Sequence, residues 1–188
     1  PKTAIISRTA DRWFVSFSYE IEPTTTAKLV AACGVDLGIK TLATLSTGET
    51  FPSPQPYRQS QTRLARLQKA ASRKVKGSRN RHKANMKVAK QHAKTAKIRK
   101  DTLNKLTTHL AKNHSQVVIE DLNVSGMLAN HCLAKSIADL GMYEFRRQLA
   151  YKCELYGSEL IIVNRFFPSS KTCSCCGHIQ DMPLQERV

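Results

Sequence analysis

The sequence predicts an α/β fold interrupted by a long basic helical insertion, and three features carry that prediction. Two short apolar runs, residues 29–36 (LVAACGVD) and 115–122 (SQVVIEDL), lead straight into carboxylates. A third run, 159–163 (ELIIV), follows an amphipathic stretch. Between the first two lies a segment of helical period, dense in Lys and Arg. Strands separated by helices argue for a sheet with parallel pairs, and near-continuous apolar strands for burial on both faces.

In chain order, residues 3–9 and 12–21 read as two strands, with Trp13, Val15, Phe17 and Tyr19 in alternation. The polar Ala10-Asp11 between them predicts a hairpin. Residues 23–28 are a polar connector before the strand at 29–36. Thr47-Gly48, inside alternating residues, predicts a second hairpin, and Pro52, Pro54 and Pro56 then break regular structure. From Gln59 the apolar spacing turns helical: Leu64, Leu67 and Ala71, then Met86, Ala89 and Ala93, then Leu103, Leu106 and Leu110. This predicts two long helices joined near Gly77, the second broken before Asp101, forming an arm packed lightly on the domain. Ile137, Leu140, Phe145 and Leu149 mark one helix over 135–156.

The charge is localised. The formal net charge is +16, yet residues 58–100 hold 16 of the 30 Lys and Arg and no Asp or Glu. The remainder is neutral, with 14 basic and 14 acidic residues. Solvated helix faces usually mix both signs, so this segment points to a polyanionic partner. Arg66, Lys69, Arg73 and Lys76 form one cationic ridge, continued by Arg79 and Arg81; Lys83, Lys87, Lys90, Lys94 and Lys97 form another. Such side chains read phosphates rather than bases. No apolar run reaches the ~18–20 residues that cross a bilayer, so no membrane partner is expected.

Asp36 and Glu120 each sit at the C-terminal end of an apolar strand, where ligands bind in open α/β sheets. On neighbouring strands they would lie only ~4.8 Å apart and repel unless a cation sat between them. Hard divalent cations such as Mg2+ (or Mn2+) take such oxygen ligands. A pair of ions ~3.5–4 Å apart can activate water and stabilise the leaving oxygen of a phosphodiester. Taken singly, each acid also reads as a strand-end carboxylate bonded to backbone. Asp121 is expected to cap the following turn. Cys173 and Cys176, spaced C-x-x-C before Gly177, supply half of a tetrahedral Zn2+ site, in a sequence whose other cysteines show no disulfide framework.

Four stretches together resemble the TnpB family: GVDLGIKTLATLSTGE (34–49), VVIEDLNVSGM (117–127), FFPSSKTCSCCGH (166–178) and the basic segment between the first two. The resemblance implies a transposon-encoded, RNA-guided DNA endonuclease with an RNase H-like (RuvC-like) mixed sheet. Asp36 and Glu120 match two catalytic acids, and Cys173 and Cys176 a zinc-ligand pair. The implied partners are a guide RNA from the transposon end and target double-stranded DNA, in the prokaryotic cytoplasm. The implied organisation is the hairpin end of a wedge-like domain plus linker (1–28), a RuvC-like nuclease domain (29–165) with a helical insertion (58–112), and a partial zinc ribbon (166–188). The second C-x-x-C and the third catalytic Asp of the pattern are absent. The chain, which starts at Pro1 and stops after the cysteine cluster, is therefore expected to be a fragment with little cleavage activity of its own. The alternative is a catalytically inactive RNA-guided DNA-binding protein.

Overall fold

A computed structural model describes residues 2–167, 172 and 176–179. β1 (Thr3–Thr9) and β2 (Arg12–Ser18) form the expected antiparallel hairpin, a two-stranded sheet of its own. β2 stops at Ser18 rather than residue 21, because Ser18 already faces Thr3 and β1 offers no further partner strand.

The main sheet has five strands in the order β5-β4-β3-β6-β7: β3 (Val30–Asp36), β4 (Thr41–Leu45), β5 (Thr50–Pro52), β6 (His114–Glu120) and β7 (Glu159–Val163). β3, β6 and β7 are parallel, and β4 and β5 run antiparallel, so the sheet is mixed. The expectation of strands buried on both faces is corrected. Cys33, Val35, Val117 and Ile119 are buried, while Gly34, Val118, Asp36 and Glu120 are not. The period-2 alternation sends the first set into the core. The second set faces the opposite side, which no described helix covers.

The core lies between the sheet and two helices, α2 (Arg79–Asn113) and α5 (Met142–Tyr156). Leu103, Leu106, Leu110, Phe145 and Leu149 are at most 1% exposed. This corrects the picture of a lightly packed arm: the C-terminal half of α2 is core. The helix is also unbroken at Asp101, which pairs with Lys105 one turn on at 2.7 Å. α1 (Pro56–Ser72) folds back along α2, with Ser60 Oγ 3.0 Å from Thr95 Oγ1. Lys76 thus falls in the connector rather than on a helical ridge.

The predicted helix over 135–156 is two helices, α4 (Ala134–Leu140) and α5. Gly141 divides them at φ 71°, and a Cβ there would meet Arg99 Cδ at 3.0 Å and Leu103 Cδ1 at 3.2 Å. A left-handed residue this close to α2 has to be glycine. The short α3 (Val124–Ala129) was not foreseen; Asn123 caps it by accepting from Gly126 N–H at 3.1 Å.

The orientation of α2 follows from its contacts. Leu103 shares a small cavity with Leu42, whereas His109 bonds Glu49 and stacks edge-on against Phe51. Leu42 lies toward the edge where β3 ends and Glu49 toward the opposite edge, so α2 runs antiparallel to β6. Its cation-rich half, residues 79–99, projects about 30 Å past the edge that carries Asp36 and Glu120. Lys28 fixes the other end, donating Nζ to Ala111 O at 2.8 Å and Tyr156 O at 2.7 Å. A cation at these two helix C-termini complements both dipoles. Burial holds its pKa below the usual lysine value.

Candidate active site on the open sheet face

In the parallel β3–β6 ladder Val35 pairs with Ile119. The next residues, Asp36 and Glu120, end adjacent strands side by side. Alternation turns both away from the core, and both are exposed. They line one cleft of about 380 Å³, together with Gly34, Ser46, Val118, Val163 and Phe167. Gly34 leaves the cleft floor bare between its two bonds to Ser46, just after β4: Gly34 N–H donates to Ser46 Oγ at 3.0 Å, and Gly34 O accepts from Ser46 N–H at 2.9 Å.

The donor set is hard and anionic, as oxygen-seeking divalent cations require. Among the described residues no cluster of three or more His, Cys, Asp or Glu is placed to hold a metal. Two carboxylates would leave most of a bound ion's shell to other oxygens.

Asp121, next to Glu120, does something else, and the expected cap is corrected: Asn123 caps the helix. Asp121 points to the other side of the strand. Its Oδ1 accepts from Arg146 Nη1 of α5 at 2.6 Å, and its Oδ2 from Arg165 Nε at 3.1 Å. Arg165 foremost, then Arg146, holds its carboxyl below the usual carboxylate range.

The predicted cations divide. All eleven, from Arg66 to Lys97, are exposed except Arg81, which is half-buried. Arg81 donates Nη1 to Lys74 O at 3.1 Å and so staples the α1–α2 turn. Lys90 pairs with Asp11 of the hairpin turn at 2.7 Å.

A structural centre that anchors this insertion escaped the sequence reading. Asp139 of α4, 4% exposed at its side chain, accepts from Arg99 Nη2 at 3.0 Å and from the backbone N–H groups of Tyr57 (2.9 Å) and Arg58 (3.1 Å). Gln55, the local N-cap position of α1, makes no cap bond. Asp139 is the cap, supplied from 82 positions away.

Of the zinc pair, Cys176 is exposed with a free thiol, and Cys173 lies outside the described residues. Gly177 takes φ 71°, and Thr172 pairs with Ile179 in an antiparallel bridge. Cys132 is exposed beside His131. No helix among the described residues is long and apolar enough to cross a membrane.

Fold and site together define a mixed α/β protein with a carboxylate-lined cleft at one sheet edge and a cationic helical hairpin projecting past it. Comparison with known families names it. The OrfB_IS605 family, described as "Probable transposase", matches residues 16–131, and a Cas12f1-like TNB domain matches residues 143–188. The chain belongs to this TnpB-type transposase family.

A Streptomyces pristinaespiralis protein named as an RNA-guided DNA endonuclease is 47% identical, across 100% of this chain and 47% of its own length. The Escherichia coli K12 protein named RNA-guided DNA endonuclease InsQ is 39% identical, across 94% of this chain and 48% of its own length. The chain thus spans about half the length of the curated relatives it matches. Among solved structures, a cryo-EM structure of a Cas12f1–sgRNA–target DNA complex aligns with a TM-score of 0.52 at 16% identity, covering 93% of this chain and 45% of that one. At that identity the likeness is one of fold.

Proposed function

We propose that this chain is the nuclease portion of an RNA-guided, metal-dependent DNA endonuclease, built on an RNase H-like (RuvC-like) sheet. One observation carries the reading: Asp36 and Glu120, 84 positions apart in sequence, end adjacent strands and line the same cleft. The names of the relatives support RNA-guided DNA cleavage as the activity of the whole protein. The Cas12f1 complex supports guide RNA and target DNA as its partners.

Asp36 and Glu120 would hold Mg2+ (or Mn2+), which when bound supplies an activated water and charge stabilisation at the scissile phosphate. The chain's own residues do the rest. The two carboxylates fix where the ion sits, on a rigid ladder rather than a loop. Gly34 keeps the floor low enough for the sugar–phosphate backbone to approach. Arg165 and Arg146 hold Asp121 directed away from the cleft, which leaves Glu120 as the acid that β6 turns toward it. The exposed cations of α1 and α2, from Arg66 to Lys97, gather nucleic acid by phosphate contacts beside the same edge. Cys173 and Cys176 would hold Zn2+ in a knuckle beyond β7. The organisation follows: hairpin and linker at 1–28, nuclease domain at 29–165, zinc knuckle at 166–188.

The test is made in the protein encoded by the full reading frame. Asp36→Asn and Glu120→Gln should each abolish Mg2+-dependent cutting of guide-matched DNA while guide-RNA binding persists. Gly34→Val, whose Cβ would meet nothing closer than Ser46 Cβ at 3.7 Å, should also abolish cutting without loss of fold. Wild-type cutting rates in either acid variant would refute the assignment. A wild-type protein that binds guide and target yet never cuts would establish the inactive binder instead.

A further inference from the structure

One wall of the acid cleft is the turn that leaves β7. Asn164 shapes it twice: its backbone O accepts from Phe167 N–H at 2.9 Å, and its side-chain Oδ1 accepts from Phe166 N–H at 2.9 Å. Arg165, in the same turn, is anchored to Asp121. The turn is thereby held on both sides, and it delivers Phe167 to the cleft beside Val163, Asp36 and Glu120. There the phenyl side chain is left 55% exposed.

An aromatic ring half in water leaves part of its apolar surface without a partner. It sits on a rigid, doubly bonded turn beside a floor of Gly34 and Val118. Among the described residues, Val163 and Phe167 are what this wall turns to the cleft, and they offer it an apolar face. The formal charge of +16 and the acid-free cationic segment select a polyanion with phosphates. The flat apolar part of such a polymer is its base. In a duplex each base face is already covered by its neighbours, so only an unpaired base presents one for stacking.

We propose that Phe167 is a stacking platform for an unpaired nucleobase of the single strand whose backbone lies over Asp36 and Glu120. This deepens the nuclease reading and rests on it for the course of the strand, but its readout is binding, not cleavage. Phe167 makes the cleft selective for melted over paired DNA, while the cationic hairpin, which reads phosphates alone, binds either.

The experiment titrates the chain into fluorescently labelled oligothymidine and into a hairpin duplex with the same number of phosphates. Ca2+, which takes the same oxygen ligands, is present to bridge the carboxylates and the strand. Phe167→Ala should weaken single-strand binding about tenfold, the effect of one stacked base, and leave duplex binding unchanged. Phe167→Leu should lose nearly as much and Phe167→Tyr should bind like the parent. A 2-aminopurine base in the strand should be quenched by the parent and by Phe167→Tyr only.

Three results would overturn the proposal. Phe167→Ala could bind the single strand like the parent. It could lose both forms equally. Or it could lower the melting temperature with no selective loss of binding, showing that the ring packs against the chain itself. The two readings fail separately. If Asp36→Asn abolishes cutting while Phe167→Ala is silent in binding, only the stacking site falls. If Phe167→Ala is selective but cutting ignores Asp36 and Glu120, the stacking site stands and the nuclease reading falls.

Discussion

Replacing Asp139 by Ala should unfasten the helical hairpin from the sheet domain, and the size of the effect can be worked from its bonds. The carboxylate is 4% exposed at its side chain and receives Tyr57 N–H, Arg58 N–H and Arg99 Nη2. Loss of the helix cap costs about 1 kcal/mol. Leaving the Arg99 guanidinium without its partner costs about 3–5 kcal/mol when fully buried. Here the Arg99 side chain is 30% exposed and can rehydrate, which brings that part down to about 2 kcal/mol. The sum is about 3 kcal/mol, a fall of about 1.5 M in the urea midpoint at an m-value of about 2 kcal/mol/M. Asp139→Asn keeps one acceptor for the cap and should lose about half as much. The assay is urea denaturation followed by far-UV circular dichroism, with duplex binding measured on the same samples. Binding supplies a contrast of sign. Removing an acid makes the chain more cationic, which alone would tighten binding to phosphates. A hairpin that has lost its anchor no longer holds its cations in register, so binding should weaken. Coincident urea midpoints, or tighter binding by Asp139→Ala, would refute the role of Asp139 as the anchor.

Asp11→Asn should strengthen duplex binding at low salt, because it releases Lys90 from its ion pair. Lys90→Gln should for the same reason cost less affinity than Lys94→Gln, as read from fluorescence anisotropy over a salt series. Glu144 has its carboxyl held down to about 2 by Arg147, so its contribution is complete above the ordinary value near 4.5 and is lost as pH falls toward 2. With the two side chains 34% and 54% exposed, solvent screening limits it to about 1 kcal/mol. Glu144→Gln should therefore lower stability by at most that at neutral pH and match the parent at pH 2, measured by urea melts across the range.

Local pattern made much of this molecule legible. The first hairpin, the 47–48 turn, both long helices and β7 follow from alternation, turn residues and helical spacing, which act within a few positions. The acids were legible as strand-end carboxylates, but their meeting depends on β3 and β6 being neighbours, and the 58–112 stretch between them says nothing of that. One-sided burial was not legible. LVAAC and VVI look the same whether one face or two is covered, since the uncovered positions here are Gly34 and Val118 rather than polar residues. The break at Gly141 was hidden because Ile137, Leu140, Phe145 and Leu149 keep an apolar spacing across it; the steric demand that fixes it comes from Arg99 and Leu103 on another helix. Asp139 gave no signal at all, as a tertiary cap is written in no local pattern.

The neighbouring acids Glu120 and Asp121 show how little sequence distance separates two chemical tasks. Both are carboxylates at the end of one strand, and composition cannot rank them. Strand alternation sends Glu120 to the open face beside Asp36, while Asp121 turns toward α5 and the turn after β7. There the two guanidiniums, Arg165 foremost, stabilise its charge and depress its pKa. A one-residue slip of β6 against β3 that brought Asp121 to the cleft would turn Glu120 onto the core face. The register Val35 to Ile119, fixed by the burial of both side chains in the core, is therefore what selects Glu120. A disturbance of that packing, such as Ile119→Ala, should impair the cleft through geometry before any site residue is touched.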